Sequence, residues 1–159
     1  ARFEHFCYEM AKLMDHTCAS FLFIPFGYRM PWDDRAANAM LTSNPGINGI
    51  WAVWDVPAEG VIAAARASGR DDLVITTIDL GENVAISMAQ GGHVYGLGAQ
   101  RPYHQGVTEA LLAGYGLLDK DAPAFVALPA LPVQQSNLLE AWMTVYSAEA
   151  TDNIKNSIK

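Results

Sequence analysis

Two apolar segments, each followed by an aspartate, constrain the fold of this chain more than any other feature. Residues 49–54 lead into Asp55, and residues 73–78 lead into Asp79. Both are short, nearly continuous apolar runs, which is typical of strands buried on both faces of a parallel sheet. Because neighbouring parallel strands end at the same edge, we expect Asp55 and Asp79 to lie side by side there. In open α/β sheets this edge is where small ligands bind.

Predicted helices alternate with predicted strands along the whole chain, which is long enough for one domain. Apolar spacing, capping residues and turn residues predict helices over residues 3–14, 35–42, 58–67, 83–90, 102–118 and 137–146. They predict further strands over 18–26 and 94–99 and an extended segment over 125–133. Such alternation indicates βαβ units. The expected fold is therefore α/β, a three-layer sandwich with a mainly parallel sheet.

Composition argues against several classes of function. A net charge of −7 argues against nucleic-acid binding, because backbone phosphates require a basic surface. No apolar run approaches the roughly 20 residues that cross a bilayer. The sequence shows no zinc-ligand spacing, no phosphate-binding glycine loop and no nucleophile–base arrangement, so neither a metal, a cofactor nor an enzymatic activity is expected. Cys7 and Cys18 either form a disulfide or are two small buried residues.

Carboxylates that accept hydrogen bonds from hydroxyl groups, beside a flat apolar ring, are suited to bind a sugar. Asp55 and Asp79 are such carboxylates, and Trp54 is the ring. Each has a second interpretation that the sequence leaves open. Asp55 and Asp79 can cap the helices that follow them, and Trp54 can be an ordinary core residue.

Five segments in order resemble the C-terminal part of the type I periplasmic solute-binding proteins, the ribose-binding-protein-like group. They are DDRAANAMLTSNPGI (33–47), IWAVWDVPAEG (50–60), AARASGRDDLVITTID (64–79), AQRPYHQG (99–106) and FVALPALPV (125–133). In that family two α/β lobes close on a sugar, and the loaded protein delivers it to a membrane importer. The resemblance thus implies a non-enzymatic solute-binding component of an ABC-type importer.

The resemblance also implies which residues contact the ligand. Trp54 matches a position that faces the sugar, Asp79 an acid that accepts sugar hydroxyl bonds, and Gln100 a hinge-side ligand contact. Asp55 is expected at the site as well, mainly as a helix cap. The implied partners are a sugar or polyol and the importer permease. The implied location is the periplasm, or a lipid-anchored position outside a Gram-positive cell.

The printed chain, residues 1–159, is expected to correspond to one C-terminal-type lobe, with residues 102–133 resembling the segment that crosses to the other lobe. A micromolar site corresponds to about −8 kcal/mol, so half of the contacts would leave roughly millimolar affinity. Leucines along 102–118 favour burial by about 1.5–3 kcal/mol each, which predicts a homodimer. Two alternatives are an effector-binding domain of a transcription regulator and a flavodoxin-like enzyme.

Overall fold

A computed structural model describes residues 34–159. The helix predicted over 3–14, the strand predicted over 18–26 and the question of whether Cys7 and Cys18 pair all lie outside these residues.

The described part of the chain alternates helices and strands for most of its length. Its elements are α1 Asp34–Ser43, β1 Gly49–Trp51, α2 Asp55–Ala67, β2 Val74–Ile78, α3 Glu82–Ala89, β3 Val94–Ala99, α4 Pro102–Leu117, β4 Leu131–Val133, a 3-10 turn Gln135–Asn137, α5 Leu138–Tyr146 and α6 Asp152–Lys155. No helix among these residues is both long enough and apolar enough to span a bilayer.

The four strands form one sheet in the order β1-β2-β3-β4. Strands β1, β2 and β3 are parallel, whereas β4 runs antiparallel to β3. The predicted α/β fold with a mainly parallel sheet is therefore confirmed. The sheet core is fully buried; Ile75 at the centre of β2 is 0% exposed, and Ile50 in β1 is 2% exposed.

Helix α2 shows how local sequence sets the element boundaries. Pro57 lies in its first turn, as predicted. At its C-terminal end Gly69 adopts φ +64°, and the N–H of Arg70 donates to the carbonyl of Ala65 at 3.0 Å. Together with a bond from the N–H of Gly69 to the carbonyl of Arg66 at 3.2 Å, this bond forms the Schellman motif that a glycine at this position indicates. At the other end β1 stops at Trp51, three residues earlier than predicted, because the chain already turns toward α2.

Helix α4 is not a crossover between parallel strands. The register pairs Ala99 at the end of β3 with Leu131 at the start of β4, so residues 100–130 leave and return at the same edge of the sheet. No residue of α4 is buried, and its main contact among the elements of residues 34–159 is with α5. The expectation that a strand–helix–strand unit continues past Ala99 is wrong at this point.

Helix α6 lies beyond the last helix that the sequence predicts, which covers residues 137–146. Its Ile154 is 0% exposed, and the helix packs against α3. Glu82 at the start of α3 accepts hydrogen bonds from the hydroxyl of Thr151 at 2.7 Å and from the side-chain amide of Asn153 at 3.2 Å. These bonds attach the end of the chain to helix α3.

Candidate functional site

Residues that follow the carboxyl ends of the three parallel strands line one shared cavity. Asp55 lies in the first turn after β1, Asp79 follows β2 directly, and Gln100 follows β3 directly. All three line a cavity of about 260 Å³. Its other lining residues among those described are Leu80, Pro102, Gln105, Val145 and Tyr146.

Asp55 begins helix α2, and its carboxylate is held at the cavity by two features. Its Oδ1 accepts a hydrogen bond from the N–H of Val56 at 2.9 Å, which satisfies one free donor at the helix N-terminus. Its Oδ2 occupies the space beside Gly81, where a Cβ would collide with it. The predicted cap is thus close but displaced by one residue, since Trp54 is the N-cap and makes no side-chain capping bond.

Asp79 adopts φ +67°, a left-handed conformation that aspartate and asparagine tolerate better than most residues. Burial raises the pKa of its carboxyl group, and the neighbouring charge of Asp55 raises it further. Hydrogen bonds from the side-chain amide and backbone N–H of Gln100 oppose this shift. The two carboxylates are therefore close enough to repel each other.

The second interpretation of Asp79, as a cap of the next helix, is contradicted by the structure. The N-cap of α3 is Gly81, and no side chain caps it. The carboxylate of Asp79 is instead directed at Gln100 and the cavity.

Trp54 precedes Asp55 and is partly buried. It is not among the residues that line the cavity, although it makes contacts within the fold. Its assignment as a ligand-stacking residue stays a prediction.

Sequence reasoning missed two polar residues of this site. The amide of Gln105, in the first turns of α4, donates to Oε1 of Gln100 at 3.3 Å. The hydroxyl of Tyr146, at the end of α5, donates to the carbonyl of Leu80 at 2.7 Å. Burial raises the pKa of Tyr146, and the charges of Asp55 and Asp79 raise it further. For Gln105 the available signal was its place in the AQRPYHQG segment, which also contains Gln100; Tyr146 had none.

Comparison with known proteins indicates the family of this domain. A periplasmic binding protein domain model matches residues 33–119, which is more than half of the chain. No curated protein sequence matches the chain.

Solved structures share the same fold. The chain is 25% identical to an ABC transporter solute binding protein from Agrobacterium vitis with bound allitol, over 69% of this chain and 39% of that one, with a TM-score of 0.63. It is 25% identical to a corresponding protein from Bacillus halodurans C-125 with bound myo-inositol, over 72% and 41% of the two chains, with a TM-score of 0.64.

A third structure shows the fold alone. It is a 5-methylthioribose transporter solute binding protein from Thermotoga lettingae TMO, which is 14% identical over 78% of this chain and 43% of that one, with a TM-score of 0.61. The present chain thus spans about two fifths of the length of these structures.

The predicted resemblance to sugar-binding components of ABC importers is confirmed at the level of family and fold. These solved relatives are solute-binding proteins rather than enzymes. Because the family model matches more than half of its residues, the chain belongs to the periplasmic binding protein domain family.

Proposed function

We propose that this chain binds a sugar or polyol non-covalently at the carboxyl edge of its sheet, as part of the solute-binding component of an ABC-type importer. The observation that carries the proposal is the convergence of Asp55, Asp79 and Gln100 on one cavity. Two carboxylates and an amide there match the hydroxyl-rich ligands named for two relatives, allitol and myo-inositol. The corresponding location is the periplasm, or a lipid-anchored position outside a Gram-positive cell, with the importer permease as the partner.

In this proposal each side chain has a distinct role. Asp79 and Asp55 accept hydrogen bonds from ligand hydroxyl groups, and Gln100 both contacts the ligand and orients the carboxylate of Asp79. Hydrogen bonds that involve a charged partner each contribute about 1.5–3 kcal/mol. Trp54 would add stacking against an apolar face of the ligand. One lobe that supplies half of these contacts binds with roughly millimolar affinity.

A thermal-shift titration of the 159-residue chain with allitol and myo-inositol tests this proposal. At 100 times its Kd a ligand raises the free energy of unfolding by about 2.7 kcal/mol. We therefore expect a clear rise in melting temperature at about 100 mM ligand for a millimolar site.

The informative variant is Asp79→Asn, because asparagine tolerates the left-handed backbone at this position. It should abolish most of the ligand-induced rise. The matched control is Asp121→Asn, which removes an exposed carboxylate that does not line the cavity. A full rise in the Asp79→Asn variant, or no rise with any sugar or polyol in the wild type, would contradict the proposal.

We also propose that the chain forms a homodimer through the exposed side of α4. Tyr103, Val107, Leu111, Tyr115 and Leu118 follow one another at three- or four-residue spacing, which places them on one side of the helix. All five are 43–68% exposed, and Leu117 beside them is 88% exposed. A continuous apolar stripe of this kind is typical of an interaction surface, and a second copy would cover it with the same stripe.

Light scattering across micromolar concentrations tests the dimer. Leu117→Glu should shift the protein toward the monomer, whereas Ile158→Glu, at an exposed apolar residue near the end of the chain, should not. A wild-type monomer at all concentrations would contradict the dimer and leave the sugar site unaffected.

A further inference from the structure

A chain of hydrogen bonds runs along the wall of the cavity from helix α4 to the end of β2. The side-chain amide of Gln105 donates to Oε1 of Gln100 at 3.3 Å. The side-chain amide and the backbone N–H of Gln100 in turn donate to the carboxylate of Asp79. All three residues line the cavity. Gln105 is therefore linked to the carboxylate of Asp79 through the amide of Gln100.

The carboxylate of Asp79 fixes the direction of this chain. An ionised carboxylate only accepts hydrogen bonds, so the amide of Gln100 has to present its N–H group to Asp79 and its oxygen elsewhere. A glutamine amide can also adopt the reversed orientation, which exchanges its nitrogen and its oxygen. In that orientation the oxygen of Gln100 would face the carboxylate, and two acceptors would repel each other.

Gln105 supplies what the exposed side chain of Gln100 lacks, a fixed donor on the far side of its amide. Gln105 is partly buried in the first turns of α4, where its backbone N–H donates to the carbonyl of Arg101 at 2.9 Å. It is the one side chain of residues 34–159 that donates to Oε1 of Gln100. A donor held on a helix favours the orientation in which Gln100 gives its oxygen to α4 and its N–H to Asp79.

We propose that Gln105 is a positioning residue of the ligand site, which holds the amide of Gln100 in the orientation that directs its N–H toward the carboxylate of Asp79. This inference rests on the proposed function and adds to it a residue that acts through another side chain. With the amide of Gln100 held in this way, the ligand meets an acceptor whose orientation is already set, so less ordering is needed on binding.

The first test is an NMR titration of the carboxyl group of Asp79 in the free 159-residue chain, which needs no ligand. Gln105→Met removes the donor to Gln100 and keeps a long side chain of high helix propensity. The pKa of Asp79 should then rise, because the hydrogen bond from the amide of Gln100 that lowers it is weakened. The control Ala113→Met, at an exposed residue of α4 away from the cavity, should leave this pKa unchanged.

A double-mutant cycle distinguishes positioning from a general effect on helix α4. Calorimetric titration with myo-inositol measures the affinity of each variant. In the wild-type background Gln105→Met should weaken binding about three- to tenfold, which corresponds to the loss of one hydrogen bond. In a Gln100→Met background Gln105 has no amide to hold, so the same substitution should change neither the affinity nor the pKa of Asp79. A merely structural role for Gln105 would give equal losses in both backgrounds.

The outcomes distinguish this inference from the proposed function. An unchanged pKa of Asp79 in Gln105→Met, or equal losses of affinity with and without the amide of Gln100, would overturn the positioning role and leave the sugar site intact. If no sugar or polyol binds the wild type, the proposed function fails. A rise in the pKa of Asp79 that depends on Gln100 would even then support the orientation of that amide by Gln105.

Discussion

The two edges of the parallel strands use their polar side chains in opposite ways. At the amino-terminal edge, polar side chains donate to carbonyl groups of the protein. At the carboxyl edge, Asp55, Asp79 and Gln100 face a cavity. One edge is therefore built for stability, whereas the other leaves acceptors available to a ligand.

Arg70 and His93 illustrate the amino-terminal edge. The guanidinium of Arg70 donates to the carbonyls of Pro45, at 3.2 Å, and Ile47, and it forms an ion pair with Asp72 at 2.8 Å. The Nδ1 of His93 lies 3.0 Å from the carbonyl of Leu73 and donates to it. This edge also has a cavity, of about 410 Å³, which is larger than the one at the carboxyl edge. Cavity size alone therefore does not identify the site; the pair of aspartates that lines the cavity at the carboxyl edge distinguishes it.

The largest expected effect is on stability, at the amino-terminal edge. In Gly92→Ala the new Cβ would lie 2.9 Å from the backbone carbonyl oxygen of Ser87, so the turn before β3 must move. We expect a loss of about 1–3 kcal/mol in the free energy of unfolding, measured by urea denaturation. The thermal shift caused by allitol or myo-inositol should remain.

Gly46→Ala is the matched control, because nothing lies within 4 Å of a Cβ at that turn. Its stability should change by less than about 0.5 kcal/mol. Equal losses in the two variants would show that the close contact between Gly92 and Ser87 is not what stabilises this edge.

The corresponding glycine at the carboxyl edge should affect binding more than stability. In Gly81→Ala the new Cβ displaces the carboxylate of Asp55, which can rotate away and lose its bond to the N–H of Val56. We expect about 1–2 kcal/mol of destabilisation and at least a tenfold loss of ligand affinity. Titration of Gly81→Ala and Gly92→Ala side by side checks this. Retained affinity in Gly81→Ala would remove the carboxylate of Asp55 from the site.

The sequence predicts the position of the acidic residues well, for a physical reason. Asp79 and Gln100 follow apolar strands directly, so the parallel sheet alone brings them to one edge. The same argument places Asp55 nearby even though β1 ends three residues earlier than expected. These positions depend on strand direction and alternation, which short-range sequence patterns encode.

Tyr146 could not be predicted in the same way. Its partner Leu80 is 66 residues away in the sequence, and the contact depends on the antiparallel pairing of β4 with β3. Strands β3 and β4 are joined by a long connection, residues 100–130, and a connection of that length does not indicate whether the strand after it runs parallel or antiparallel. Helix α6 was missed because four residues carry too little periodicity, although Ile154 anchors it.

A smaller effect on stability is expected for the hydrogen bond of Tyr146. Tyr146→Phe leaves the buried carbonyl of Leu80 without this donor, which costs about 0.5–1.5 kcal/mol in the free energy of unfolding. Tyr95→Phe is the control at the opposite edge, since Tyr95 is 53% exposed. Urea denaturation of both variants tests the difference. A loss in Tyr95→Phe as large as that in Tyr146→Phe would contradict a specific role for the bond.

The smallest expected effect, and the most direct test of the contrast between the edges, is the pH dependence of stability. The ion pair with Arg70 lowers the pKa of Asp72, so its contribution is present above the unfolded-state value of about 3.9 and is lost as pH falls through the folded value. Burial raises the pKa of Asp79. Its own contribution to the free energy of unfolding is therefore most favourable below the unfolded-state pKa of about 3.9, and it declines as pH rises through the folded-state pKa.

Asn variants at the two positions should therefore change stability with opposite sign. Near pH 7, Asp72→Asn should be less stable than the wild type, and this difference should vanish in acid. Asp79→Asn should be more stable than the wild type near pH 7, by less than about 1 kcal/mol because its carboxyl group is only partly buried and solvent screens its charge. Urea denaturation between pH 3 and pH 7 measures both. Since the ligand site needs the charge that reduces stability, a destabilising Asp79→Asn at neutral pH would mean that this carboxylate stabilises the fold instead.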